Sequence, residues 1–283
     1  QNISEGGALD QRVTVKSKDN EIERLAKTFN KMLDFIQVLV TEVKEIGENI
    51  AHDLKNPITR IRGLAEVTLT SNKSSILDYR NVTENTIEEC DNLLEMISTI
   101  LYISRADTGI CELKREKLDI CEVLRNAFDL FMPVVEDRGI AITTSLPERC
   151  FFYGEEQDIQ RMIANLIDNA IKYTPRQGEV RININDCKNH IVFNIKDTGV
   201  GIAEQNIPLI FKRFFRCSET SMIPGIGLGL SLVHAIVKKH GGTIKVKSTV
   251  NKGTEFIVIL PRFEYRKKKL RKAAGELCWE KEE

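Results

Sequence analysis

The first part of the chain repeats its apolar residues in two interleaved seven-residue series. Ile22, Phe29, Ile36, Val43 and Ile50 form one, and Leu25, Met32, Leu39 and Ile46 form the other. A 3.5-residue period held this long is the signature of helices wound on one another, and it predicts a parallel dimer rather than one amphipathic helix on a globular core. The phase slips at Asp53. Apolar positions resume at Leu54, Ile58, Ile61 and Ala65, a four-residue stutter with Pro57 inside it. A proline there removes a backbone N–H and predicts a bend. His52 falls off the seam, which predicts a solvent-facing side chain. "TSNKSS" (70–75) reads as a turn, and a second helical pattern follows through Ile76, Tyr79, Cys90, Leu93, Leu94, Ile97, Ile100 and Leu101, ending near Gly109. Two helices and a short turn make a hairpin, and two hairpins, one per subunit, make a four-helix bundle.

From about residue 112 the pattern changes. "ELKREKLDI" reads as a strand, 121–138 as a helix, "IAITTSLP" as a strand and 156–173 as a long helix. "EVRININ" and "HIVFNIKD" alternate apolar and polar residues on either side of "DCKN", which predicts an antiparallel pair. A glycine-rich stretch leads into a helix over 229–240, and "GTIKVKST" and "GTEFIVILP" close the domain as strands. The mix predicts an α/β sandwich, a sheet with helices on one face.

Composition narrows the class. The 283 residues suit about two domains. The 41 basic and 41 acidic side chains cancel, so no global field favours nucleic acid or an acidic membrane surface. The seven cysteines include no C-x-x-C pair, which argues against a disulfide framework or zinc site and for apolar fillers in a reducing compartment. The run "TSMIPGIGLGLSLVHAIV" (220–237) lacks charge, yet its glycines and proline break its first half, so it reads as a loop feeding a buried helix rather than a membrane span. The chain shows no signal-peptide pattern and no initiating Met, and a further segment upstream is expected.

Several pieces point to a nucleotide. "NLIDNAIKYTP" puts Asn165 and Asn169 four residues apart on one helix face, with Lys172 close by. Amide oxygens are hard ligands suited to Mg²⁺, and a lysine answers phosphate charge. "DTGVGI" (197–202) sets an acid at a strand end before glycines, and "GIGLGLSL" (225–232) runs into a helix N-terminus, a geometry that cradles phosphates. Each piece alone is weak; their order and placement are hard to explain as packing.

The combination resembles the sensor histidine kinases of two-component signalling, whose ATP-binding domain has the Bergerat fold shared with certain chaperones and topoisomerases. The matching segments are an N box (165–175), a G1 box (197–201), an F box "FKRFFR" (211–216), a G2 box (225–229) and "NKGTEF", with His52 in the phospho-acceptor box "HDLKNP". The resemblance implies a helical hairpin forming a dimeric four-helix bundle, followed by an α/β sandwich of Bergerat type. It divides the chain into a partial HAMP-like relay (1–29), a dimerisation and phosphotransfer hairpin (30–110), a catalytic ATP-binding domain (111–264) and a charged tail (265–283). The tail reads as a solvated end.

The implied roles follow residue by residue. Asn169 would coordinate Mg²⁺ with Asn165 nearby, Lys172 would meet phosphate, and Tyr173 would lie against the adenine. Asp197 would accept a hydrogen bond from the adenine amino group. Gly199, Gly201, Gly225, Gly227 and Gly229 would allow close backbone approach. Phe211 and Phe214 would pack a lid over roughly 203–224, and Arg216 would reach the γ-phosphate. Hydrolysing relatives carry a glutamate four residues before the magnesium asparagine as the base for water. Here that position is Asn165, and an amide takes no proton at neutral pH, so the site would hold ATP for another nucleophile. His52 is the candidate: a neutral imidazole, oriented by Asp53, attacking the γ-phosphorus. Asn56, one turn on, would help position water for dephosphorylating a partner. The expected function is an autophosphorylating protein-histidine kinase passing its phosphoryl group to a response-regulator aspartate, homodimeric and anchored to a membrane only through an upstream segment. The alternatives are a degenerate kinase serving as phosphatase or scaffold, and a coiled-coil adaptor, which would need no nucleotide pocket. His190, His234 and His240 receive no role.

Overall fold

The computed structural model describes residues 20–71, 75–107, 115–217, 223 and 225–262, leaving out the side chains of several residues of the first helix, His52 among them. The HAMP-like span 1–29 lies largely outside the described residues, and the tail 265–283 wholly so. The chain divides into two compact units, residues 1–95 and 96–283.

The first unit is built on α1 (Asn20–Thr70), which runs as one helix through Pro57. The proline does not interrupt it. α2 (Ile76–Asp107) opens on a capping box: Ser75 N–H and Oγ donate to Asp78 Oδ2 at 2.7 and 2.8 Å, and Asp78 N–H returns to Ser75 Oγ at 3.3 Å. Arg60 of α1 reaches Glu89 of α2 at 2.6 Å, as an antiparallel hairpin requires. Much apolar surface of this hairpin stays uncovered in the single chain. Leu25, Met32 and Ile58 are exposed on α1, and Ile87, Leu94, Ile97 and Leu101 are exposed along α2.

The second unit begins with the last turns of α2, where Met96 and Ile103 are buried. β1 (Glu116–Asp119) leads directly into α3 (Ile120–Arg138), followed by β2 (Ala141–Ser145), β3 (Phe151–Gly154), α4 (Glu156–Tyr173), β4 (Glu179–Asp186), β5 (His190–Asp197), α5 (Gly229–Lys239), β6 (Thr243–Thr249) and β7 (Gly253–Pro261). β1 covers part of the expected strand, whose first residues, 112–114, lie outside the described residues. Asp119 ends it because its carboxylate accepts from Cys121 N–H at 3.1 Å, capping α3, and from Cys150 N–H at 2.9 Å. β3, absent from the sequence reading, pairs antiparallel with β1 in a two-stranded ribbon.

The main sheet has the order β2-β4-β5-β7-β6, parallel only between β2 and β4. Its helix-facing side is set by strict alternation: Val180, Ile182 and Ile184 on β4, Ile191, Phe193 and Ile195 on β5, and Phe256, Val258 and Leu260 on β7 are all buried. α4 answers with Ile159, Met162, Ile163, Leu166, Ile167, Ala170 and Ile171 on one helical face. That alternation decides the site, because it carries Asp197 and Thr254 into the same inward row.

Candidate functional site

Asp197 ends β5 in the buried register and is 5% exposed. Its Oδ1 accepts from Gly199 N–H at 2.8 Å and from Thr254 N–H at 3.1 Å. Both bonds fall on one oxygen, so Oδ2 is the atom available to a ligand. Burial pushes the carboxyl pKa above its usual value, and the two N–H donors offset this in part. The backbone crowds closely here. A Cβ on Gly253, whose φ is +99°, would stand 2.0 Å from the Asp197 carbonyl oxygen, so β7 can pass the acid only as glycine.

Asp197 lies at the floor of a cavity of about 80 Å³. Asn169 and Tyr173 from α4 line it, with Val200, Gly201 and Ile202 after β5, Leu230 of α5, and Thr254 and Phe256 of β7. Ile210, Phe215, Arg216 and Cys217 close it from the lid side.

The sequence-predicted residues divide into two groups. Asn169, Tyr173, Asp197, Gly201 and Arg216 line the cavity, and Gly199 enters through its bond to Asp197. Asn165, Lys172, Phe211, Phe214, Gly225, Gly227 and Gly229 lie outside the lining. Asn165 borders the start of α5: a Cβ on Gly229 would come 2.7 Å from Asn165 Oδ1, so that glycine leaves the amide its place. Lys172 pairs with Asp168 Oδ2 on its own helix at 2.5 Å. Phe211 stacks on His234 with ring centroids 5.5 Å apart. Phe214 holds a left-handed backbone (φ 61°), rare for an aromatic residue, and donates its N–H to Gly227 O at 3.0 Å, which ties the F box to the G2 box. Arg216 donates to Ile223 O. On α1, Asp53 is half-buried and Asn56 exposed, while the side chain of His52 lies outside the described residues.

Sequence reasoning missed Phe215, Ile202, Thr254 and Phe256. The last two continue the inward alternation of β7, which marks them as buried but not as neighbours of Asp197. His240, which received no role from the sequence, is fully buried. Its Nδ1 meets Ile236 O at 2.9 Å and its Nε2 accepts from Glu155 N–H at 3.2 Å, the N-cap residue of α4. The carbonyl fixes the proton on Nδ1, and burial pushes the imidazole pKa down.

The comparisons with known proteins agree with this geometry. Residues 154–264 match the family model "Histidine kinase-, DNA gyrase B-, and HSP90-like ATPase", residues 44–109 the "His Kinase A (phospho-acceptor) domain", and residues 1–34 the "HAMP domain". The chain belongs to the sensor histidine kinases. Among curated relatives of this family, sensor histidine kinase CusS of Escherichia coli O6:H1 is 29% identical over 255 residues, 89% of this chain and 52% of that protein. Sensor protein SrrB of Staphylococcus aureus is 27% identical over 93% of this chain and 43% of its own length. The chain thus spans about half the length of the curated relatives it matches. Among solved structures, full-length ShkA in complex with AMPPNP superposes with a TM-score of 0.58 at 25% identity, covering 76% of this chain and 45% of that one. Among the described residues of this sensor kinase, no helix is long and apolar enough to cross a membrane.

Proposed function

We propose that the chain is an ATP-dependent protein-histidine kinase that phosphorylates its own His52 and passes the phosphoryl group to an aspartate of a response-regulator receiver domain. The observation that carries this reading is the buried Asp197 with one carboxylate oxygen held twice and the other left to the cavity, in a chain whose residues 44–109 match a phospho-acceptor model. A buried carboxylate acceptor in a cavity lined largely by apolar side chains suits the amino group of adenine. Tyr173, Ile210 and Phe256 supply the walls for the ring.

The 80 Å³ cavity receives the base, and the phosphates extend past Asn169 toward the N-terminus of α5. Backbone N–H groups and the helix dipole favour anions there. The residues present fit a magnesium ion: Asn169 offers an amide oxygen at the cavity edge, with Asn165 one turn earlier on α4. The metal would neutralise phosphate charge. Arg216 answers the same charge from the lid side. His52 Nε2 attacks the γ-phosphorus, the N–P bond forming as the bond to the β-phosphate oxygen breaks and ADP leaves, while Asp53 holds the Nδ1 proton. No acid stands at position 165 to activate water, which spares ATP for the histidine. Asn56, exposed one turn from His52, is the residue suited to orienting water on the partner's phosphoaspartate.

The uncovered apolar positions of both hairpin helices support homodimerisation. On α2, Ile87, Leu94 and Leu101 follow a seven-residue spacing with Ile97 between them, a seam for a second copy. The HAMP match over 1–34 supports attachment to a membrane sensor outside this sequence.

Incubation with γ-labelled ATP and Mg²⁺ tests the reading. Label that is acid-labile and base-stable, and lost in His52→Gln, is expected. Retention of that label in His52→Gln would overturn the acceptor assignment.

A further inference from the structure

Ser248 lies near the end of β6, half-buried, behind the wall that carries Thr254. Its Oγ is 2.8 Å from Ile202 N, 3.0 Å from Gly253 O and 2.8 Å from Thr254 Oγ1. A hydroxyl has one proton and two lone pairs. The Ile202 N–H can only donate, and the Gly253 carbonyl can only accept. One arrangement satisfies all three neighbours: Ser248 donates to Gly253 O and accepts from both Ile202 N–H and the Thr254 hydroxyl. The Thr254 proton is thereby committed away from any ligand. What Thr254 Oγ1 has left is lone pairs, on a residue that lines the cavity beside Asp197.

The polar end of the cavity then offers Asp197 Oδ2, with Thr254, whose hydroxyl keeps only acceptor capacity, lining the cavity beside it. The 6-amino group of adenine carries two N–H donors and fits this end. The 6-oxo group of guanine would set an acceptor against acceptors, and a site with buried polar groups left unpaired rejects such a ligand strongly. Ser248 also ties down two backbone points and one side chain around the acid: Ile202 N–H beyond the G1 turn, the Gly253 carbonyl, and the hydroxyl of Thr254, whose own N–H holds Asp197 Oδ1.

We propose that Ser248 is a positioning residue that sets the base preference of the site, by holding the Thr254 hydroxyl as an acceptor toward the ligand. The proposal rests on the adenine-nucleotide reading above. Ser248 touches no part of the base itself.

The experiment is a calorimetric titration of the full chain with ATP and, separately, GTP. Wild type, Ser248→Ala, Ser248→Thr, Thr254→Val and the Ser248→Ala/Thr254→Val double variant are compared, each with its thermal midpoint. Wild type is expected to prefer ATP. In Ser248→Ala the Thr254 hydroxyl is free to turn and donate, and the ATP-to-GTP preference drops by about tenfold, with ATP weakened and GTP unchanged or tighter. Ser248→Thr restores the preference. In the Thr254→Val background, Ser248→Ala produces no further change in the ratio. The proposal is overturned by an unchanged ratio in Ser248→Ala, including the case where both nucleotides weaken alike as the thermal midpoint falls. Failure of wild type to bind ATP sinks the underlying reading instead, and the wild-type titration alone reveals it.

Discussion

Lys239 Nζ and Asp158 Oδ2 lie 2.8 Å apart with side chains only 8% and 3% exposed, an ion pair that joins the end of α5 to the start of α4. The same Asp158 oxygen accepts from the Tyr102 hydroxyl at 2.7 Å, and Lys239 also reaches Glu155 Oε2 at 2.9 Å. Asp158→Ala removes the more buried partner and leaves the ammonium with Glu155 alone. It is expected to cost about 3–5 kcal/mol in urea denaturation. Tyr102→Phe keeps the ring 5.3 Å from the ammonium and loses one bond to a charged group, about 1.5–3 kcal/mol. Burial pulls the Lys239 pKa down, but the bonds from Asp158 and Glu155 outweigh it and leave it raised. The stability from this pair is therefore complete below the ordinary lysine value of 10.5 and is lost as pH rises through the raised one.

His240 titrates in the opposite sense. Its pKa is lowered, chiefly by burial, so the unfolded chain takes up a proton that the folded chain refuses. Stability from this residue is present above about pH 6.5 and declines as pH falls through the window below it. His240→Gln, which cannot titrate there, is expected to flatten the acid limb of the thermal-midpoint profile between about pH 6.5 and 5. An acid limb as steep as that of wild type would refute this.

Asp197→Asn should separate binding from stability. The raised carboxyl pKa means that holding the charged form costs the fold stability at neutral pH. The amide keeps the shape and removes the charge. Its thermal midpoint at pH 7 is expected to equal or exceed that of wild type, with ATP affinity weakened by about tenfold or more. The advantage in midpoint should shrink as pH falls toward 3.8, where the wild-type acid also becomes neutral in the unfolded chain.

Two glycine substitutions should differ sharply. In Gly253→Ala the new methyl meets the Asp197 backbone at 2.0 Å with φ at +99°, and neither can yield. Loss of several kcal/mol is expected, measured by denaturation. In Gly229→Ala the methyl meets the far end of the Asn165 side chain at 2.7 Å, which can swing aside. Stability should hold while Mg²⁺-dependent ATP binding weakens, because a displaced Asn165 no longer flanks Asn169.

The long-period features were legible in the sequence because each rests on many residues. β5 was expected at its observed limits since Ile191, Phe193 and Ile195 alternate without error, and the inward face of α4 repeats through two full rows. β3 was not legible. In "FFYG" both faces are aromatic, and Phe151 and Tyr153 remain 39% and 37% exposed, so no alternation marks a buried side. The site was half legible for a related reason. Asp197 and Asn169 stand out by chemistry, but Thr254 and Phe256 reach the cavity only because β7 lies beside β5, a pairing no local pattern encodes. α1 runs as one helix through Pro57.

The row that buries Ile191, Phe193 and Ile195 ends on Asp197, and its neighbour Lys196 points to the other face. A slip of one residue in β5 would turn the whole row outward and offer the ligand a lysine where it needs a carboxylate. At the proposed nucleotide site, binding would proofread strand alignment: only a chain whose sheet has been assembled in the correct frame can present the acid, and ATP added during refolding should draw misaligned chains toward the native sheet.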